Sequence, residues 1–114
     1  MKCAIVLRAG LVLLFMVSVG SVHAQGAAGR NMAAACFTCH GTDGRSVGGV
    51  PPALAGRDQV ELYTALQQFK AGQRPATIMH QQAKGYTDEQ LQRIAAYFST
   101  VKPGPSAELP RAGK

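Results

Sequence analysis

At 114 residues the chain is long enough for one small domain, and its formal net charge of +6 comes from 12 lysines and arginines against 6 acidic residues. The basic residues Arg45, Arg57, Lys70, Arg74, Lys84 and Arg93 are scattered, not gathered into a stripe, which argues against a nucleic-acid surface. A domain this small buries little apolar surface of its own and usually needs a bound or covalent group to brace it.

Residues 1–24 have the form of a secretory leader. Lys2 and Arg8 supply the positive start, residues 10–19 (GLVLLFMVSV) the apolar centre, and Val22-His23-Ala24 a small-residue cleavage site. The uncharged stretch, residues 9–22, falls short of the ~20 residues that a membrane-spanning helix needs, so no span is expected after cleavage. Removing 24 residues from the 114 leaves 90, and the departure of Lys2 and Arg8 lowers the net charge to +4. Cys3 leaves with the leader. Export predicts a periplasmic protein, and its positive charge suits an acidic docking face on a partner.

The first mature helix is expected over residues 27–37, which are rich in the strong helix former alanine. Gly29 and Ala33 lie four apart on one face and are small enough for another helix to cross closely; Met32 and Cys36 form a neighbouring stripe. Its last turn opens into Cys36-Phe37-Thr38-Cys39-His40, the C-x-x-C-H pattern of c-type haem attachment. The two thiols add across the two vinyl groups of haem, and the intervening pair lets one backbone turn reach both. The histidine that follows can present its imidazole to the iron as proximal ligand. An exported Cys36–Cys39 pair could instead be a disulfide. A thioredoxin-like redox pair, however, needs a βαβ setting that the sequence lacks. Zinc needs a fourth ligand, and His80 is the only other mature histidine or cysteine.

Residues 41–56 (GTDGRSVGGVPPALAG) form a turn-rich loop able to wrap along a flat ring. A ligand histidine nearly always donates its other ring N–H to a fixed acceptor, and Pro51 or Pro52 can supply the carbonyl. A second helix is expected over residues 58–71. Asp58 and Glu61 resemble a capping box at its start, Gly72 stops it, and Leu62, Leu66 and Phe69 line one face with Tyr63 beside them. Arg57 and Tyr63 are candidates for the haem propionates, though a solvated arginine and a core tyrosine are the simpler readings.

The sixth iron ligand falls between two neighbours. Met32 is one turn before Cys36, on the His40 side, and reads as packing. Met79, in a connection long enough to cross to the opposite haem face, is favoured over its rival His80. Adjacent residues point about 100° apart on a helix, so only one of them can face the iron. His/Met ligation raises the reduction potential and suits electron transfer.

The third helix starts at Thr87 with Gln90 as its capping-box partner and with Tyr86 placed to staple onto Leu91. Leu91, Ile94, Ala95, Phe98 and Val101 repeat at helical spacing, and Pro103 marks the end. Residues 103–114 lack a hydrophobic period and are expected to be a mobile tail. No stretch reads as a strand. The expectation is an all-α domain over residues 25–102, with about three main helices wrapped around one covalently bound haem.

Together these residues resemble a class I cytochrome c. The features that carry the resemblance are the N-terminal helix into C-x-x-C-H, the loop Pro52-Ala53-Leu54-Ala55-Gly56, a methionine beyond it and a C-terminal helix with aromatics. The resemblance implies that Pro52 carries the carbonyl orienting His40, and that Gly29 and Ala33 cross against Tyr97 or Phe98. Met32 stands where an aromatic is common in that family. The segments Phe69-Lys70-Ala71-Gly72, Thr77-Ile78-Met79 and Ala83-Lys84-Gly85-Tyr86 are similar to the haem subunit of flavocytochrome c sulfide dehydrogenase. That similarity implies Met79 as distal ligand. It also implies a periplasmic FAD-containing flavoprotein partner that oxidises sulfide and passes electrons on, the haem subunit doing no bond chemistry itself. A diffusing carrier that serves an oxidase or reductase is the alternative.

Overall fold

The computed structural model describes residues 20–104. Of the expected leader, only residues 20–24 are among them; residues 105–114 of the expected tail lie outside them.

From Gly20 the chain is helical almost without a break to the haem motif. Helix α1 (Gly20–Ala33) passes into a tighter 3-10 turn (Ala34–Cys36) and then into the single turn α2 (Phe37–His40). The expected helix over residues 27–37 therefore begins earlier and is overwound at its end. Ala34 and Ala35 permit this, because side chains three apart eclipse in a 3-10 turn and alanine has no bulk to clash. Ala33 and Cys36 both keep right-handed helical angles, so the path does not kink. Gly41, at φ 80°, ends it.

A second 3-10 turn (Thr42–Gly44) and a loop lead to α3 (Gln59–Lys70), followed by α4 (Met79–Lys84) and α5 (Asp88–Thr100). Among the described residues there is no strand. The cap of α3 forms by half: Asp58 accepts from the Glu61 N–H at 2.9 Å, while the Glu61 carboxylate pairs with Arg57 and does not return to Asp58. At α5 the box is complete, with Gln90 N–H on Thr87 Oγ1 at 3.2 Å and Thr87 N–H on Gln90 Oε1 at 2.9 Å. Val101 is already extended (φ −74°, ψ 129°), two residues before Pro103. Helix α4 is an addition to the three expected helices. At six residues it is too short to stand alone in water. Ala83, 1% exposed, anchors it as α4 packs on α3.

Helix α5 is the spine, packed by α1 and by α3. Ala33, Leu62, Ile94, Ala95 and Phe98 form the buried cluster, with Met32, Cys36, Phe37, Leu54, Tyr63, Leu66, Tyr86 and Tyr97 half-buried against it. The α1–α5 crossing needs glycine. A Cβ at Gly29 would lie 3.0 Å from Arg93 O and 3.2 Å from Tyr97 Cβ. No described helix is long and apolar enough to cross a membrane.

Candidate haem site

The end of the first helical segment delivers three functional groups within five residues. Cys36 is half-buried and Cys39 exposed, and both are free thiols. Burial pushes the Cys36 thiol above its ordinary 9.0, so before attachment it stays protonated at neutral pH. His40 is buried, 7% exposed. Its Nδ1 lies 2.7 Å from the carbonyl oxygen of Pro52. A carbonyl can only accept, so Nδ1 carries the proton and the Nε2 lone pair is left for a metal. Of the two proline carbonyls considered from sequence, Pro52 is the one on His40; Pro51 O accepts from the Ser46 hydroxyl.

The glycine loop holds Pro52 in place. Gly44 O accepts from Leu54 N at 2.8 Å and Ala55 N at 3.2 Å, and Gly56 N–H donates to Phe98 O at 2.9 Å. Gly44, at φ 75°, lies so close to the Phe98 ring that a Cβ there would sit 2.8 Å from two ring carbons. The loop is thereby pressed onto α5.

The second 3-10 turn, Thr42–Gly44, carries a polar cluster that spacing alone does not announce. Tyr97 Oη donates to Asp43 Oδ1 at 2.5 Å, Arg30 lies 3.2 Å from the same oxygen, and Arg45 donates to Asp43 Oδ2 at 3.3 Å. The Tyr97 hydrogen bond first, and the two arginines after it, hold the Asp43 carboxyl below its ordinary 3.8. Burial, then the bond to Asp43, raises the Tyr97 hydroxyl above its ordinary 10.0. The sequence gives one hint: an aspartate stands between two loop glycines, three residues after the motif.

Met79 and His80 are the first two residues of α4 and both are half-buried. Met79 lies outside the group packed on the core cluster, and α4 reaches that core through α3. The structure thus brings Cys36, Cys39, His40 and Pro52 together and sets Met79 on a separate element. The polar ends of the propionate candidates are engaged locally, Arg57 with Glu61 and Tyr63 Oη with Gln67 Nε2 at 2.8 Å. Among the described residues no three histidine, cysteine or acidic side chains converge as a zinc site requires. The donor chemistry fits haem c: two free thiols one turn apart, a buried imidazole with a fixed tautomer, and half-buried apolar side chains around them.

Comparison with known proteins agrees. The cytochrome c family model matches residues 26–102. The chain is 42% identical over 73 residues to the cytochrome subunit of sulfide dehydrogenase of Chlorobaculum tepidum, covering 64% of this chain and 66% of that one. It is 36% identical over 77 residues to cytochrome c-554(548) of Halomonas halodenitrificans, covering 65% of this chain and 93% of the relative. The solved cytochrome c4 of Acidithiobacillus ferrooxidans superposes with a TM-score of 0.63 at 35% identity, over 75% of this chain and 55% of that one. The chain thus spans about two thirds of the first relative and about half of the last. Its helical architecture, its thiol pair and the family match point one way: the chain belongs to the cytochrome c family, with the class I fold and the covalent haem c that the family implies.

Proposed function

We propose that this chain is a periplasmic one-electron carrier with a single haem, serving as the haem subunit that accepts electrons from an FAD-containing, sulfide-oxidising flavoprotein. The observation that carries the electron-transfer reading is the buried His40, its Nδ1–H fixed by Pro52 O at 2.7 Å and its Nε2 free, directly after the second of two free thiols. Bound haem supplies an Fe(III)/Fe(II) couple. Cys36 and Cys39 would hold it through their sulfur atoms. His40 would ligate its iron through Nε2. Pro52 sets the tautomer and rotation of that ring. Met79 would supply a thioether as a further iron ligand, a His/Met pairing that favours a raised potential. Phe37 and the exposed Thr38 flank the two attachment sulfurs and mark where electrons enter and leave. The chain itself makes and breaks no substrate bond.

The partner assignment is supported by the similarity to the Chlorobaculum subunit, while the basic balance of the domain suits an acidic docking face on either kind of partner. A diffusing carrier for an oxidase or reductase is the second reading. It is favoured by the match to 93% of the Halomonas cytochrome, where a domain of this size is nearly the whole chain. Mild purification of the native protein from its own periplasm separates the two. Stoichiometric flavin co-eluting with haem, and haem reduction on adding sulfide, are expected. A lone haem protein that sulfide does not reduce would leave the diffusing carrier.

A further inference from the structure

The turn after the haem motif contains one residue that its backbone does not require. Asp43 is the only non-glycine residue with positive φ among the described residues (φ 53°, ψ 26°), and it stands between Gly41 and Gly44, which share that sign. A side chain in this region costs on the order of 1 kcal/mol relative to glycine. Glycine would suit this backbone best, and aspartate is one of the few other residues that tolerate it. What aspartate adds is a carboxylate, and both of its oxygens are used. Oδ1 takes Tyr97 Oη from α5 and Arg30 from α1, and Oδ2 takes Arg45 from the loop itself. Arg45 then donates through Nε to Lys102 O, at 3.0 Å, beyond the end of α5.

We propose that Asp43 is a positioning residue for His40: by tying the 42–44 turn to Tyr97, Arg30 and Arg45, it holds the Pro52 carbonyl on the His40 ring N–H. The path is continuous. The residue after Asp43 is Gly44, pressed on Phe98, and its carbonyl receives the N–H groups of Leu54 and Ala55. Pro52 is two residues before Leu54, so anchoring Leu54 limits how far the Pro52 carbonyl can drift from Nδ1. Asp43 touches neither His40 nor Pro52 and acts only through this chain of contacts. The inference rests on the reading of His40 as iron ligand.

Hydrogen exchange in the reduced holoprotein, followed by NMR, tests it. The rate for the His40 Nδ1–H is compared with those of the Leu91 and Ile94 amides in wild type, Asp43→Gly, Asp43→Asn and Tyr97→Phe. Asp43→Gly suits the backbone better yet removes the clamp, so His40 Nδ1–H should exchange about tenfold faster or more, while the core amides stay within about twofold. Asp43→Asn keeps an acceptor for Tyr97 and loses the charge that faces the arginines, so its rate should lie between. Tyr97→Phe should also accelerate the ring proton alone. An unchanged ring-proton rate in Asp43→Gly overturns the proposal. So does an equal rise at Leu91 and Ile94, because Asp43 would then merely hold the fold together. If the glycine variant does not accumulate, Asp43→Asn decides by the same ratio. A His40 ring whose signals are not displaced by the haem would instead withdraw the ligand reading itself.

Discussion

On the His40 flank of the site the chain is tied to parts of itself far away in sequence: His40 to Pro52, Asp43 to Tyr97, Arg45 to Lys102, Gly56 to Phe98. On the Met79 flank most bonds stay local, an exception being Tyr86 Oη, which donates to Met32 O at 3.3 Å. The N–H groups of Gln81 and Gln82 return to Ile78 O, Gly85 N–H to Gln82 O, and Arg74 reaches Gln68 and the Phe69 ring. Residues 71–75 are all exposed, and at the α4 end of the α3–α5 contact the link is a surface pair, Lys70 with Asp88. A proximal ligand on the first flank is fixed by the fold as a whole. A distal ligand on the second is held by a six-residue helix anchored through Ala83 and, just past its end, Tyr86. Segments with few buried and few long-range contacts open first, so the distal side is where the site should yield.

Breaking the His40 flank should have the largest effect. Phe98 is 1% exposed, shares the buried cluster with Ala33 of α1, meets the Phe37 ring of α2 edge-on and lies against Gly44 of the loop. Phe98→Ala should cost about 3–5 kcal/mol, a large share of the stability of a small domain. Gly44→Ala should weaken the same corner from the other side, by placing a Cβ into the Phe98 ring at positive φ. Urea titration of both holoproteins checks this. Wild-type midpoints would mean that the corner is not what fixes the proximal loop.

Breaking the Met79 flank should spare the fold and change the iron. In Met79→Ala the urea midpoint should fall much less than in Phe98→Ala. The reduced protein should bind carbon monoxide rapidly at neutral pH where wild type does not, and the reduction potential should drop as the thioether is lost. His80→Ala should leave all three properties alone. Were His80→Ala to open the iron to carbon monoxide and Met79→Ala not, the two neighbours on α4 would exchange roles.

The same contrast governs what could be read from the residues. Helices α3 and α5 are legible because their ends are written in side chains, Asp58 and Gly72 for one, Thr87 with Gln90 for the other. The thiols and imidazole of the site are legible because their chemistry needs one fixed local spacing. Helix α4 is not, since Ile78 offers no capping side chain and six residues are too few to establish a period. The overwound turn at Ala34–Cys36 is invisible for a related reason: alanine suits either pitch. The Asp43 cluster joins residues 54 apart to a turn, and no spacing rule links positions that meet only after α5 has docked.

Caps sharpen the comparison at smaller scale. Thr87→Ala removes the acceptor for the Gln90 N–H and undoes a complete box, so it should cost about 1 kcal/mol. Asp58→Ala undoes only half a box, because Glu61 is already taken by Arg57, and should cost less. Equal losses would mean that the reciprocal Gln90 bond adds nothing.

The smallest effect expected lies in the pH dependence of the His40 flank, since Asp43 and Tyr97 both keep access to solvent. Asp43 has a folded pKa below its ordinary 3.8, held there chiefly by the Tyr97 hydrogen bond. Its contribution is therefore complete above that value and is lost as pH falls below it through the folded pKa. Tyr97 has a folded pKa above its ordinary 10.0, raised first by burial and then by Asp43. That contribution is complete below 10.0 and is lost as pH climbs through the higher folded value. Tyr86, raised mainly by burial, adds to the same alkaline edge. Asp43→Asn should consequently flatten the acid edge of the denaturation midpoint against pH. The alkaline edge should shrink but persist, because the burial of Tyr97 and Tyr86 survives the substitution. An acid edge as steep as in wild type would place its origin in other carboxylates and leave the Asp43 cluster without an electrostatic share in holding the loop.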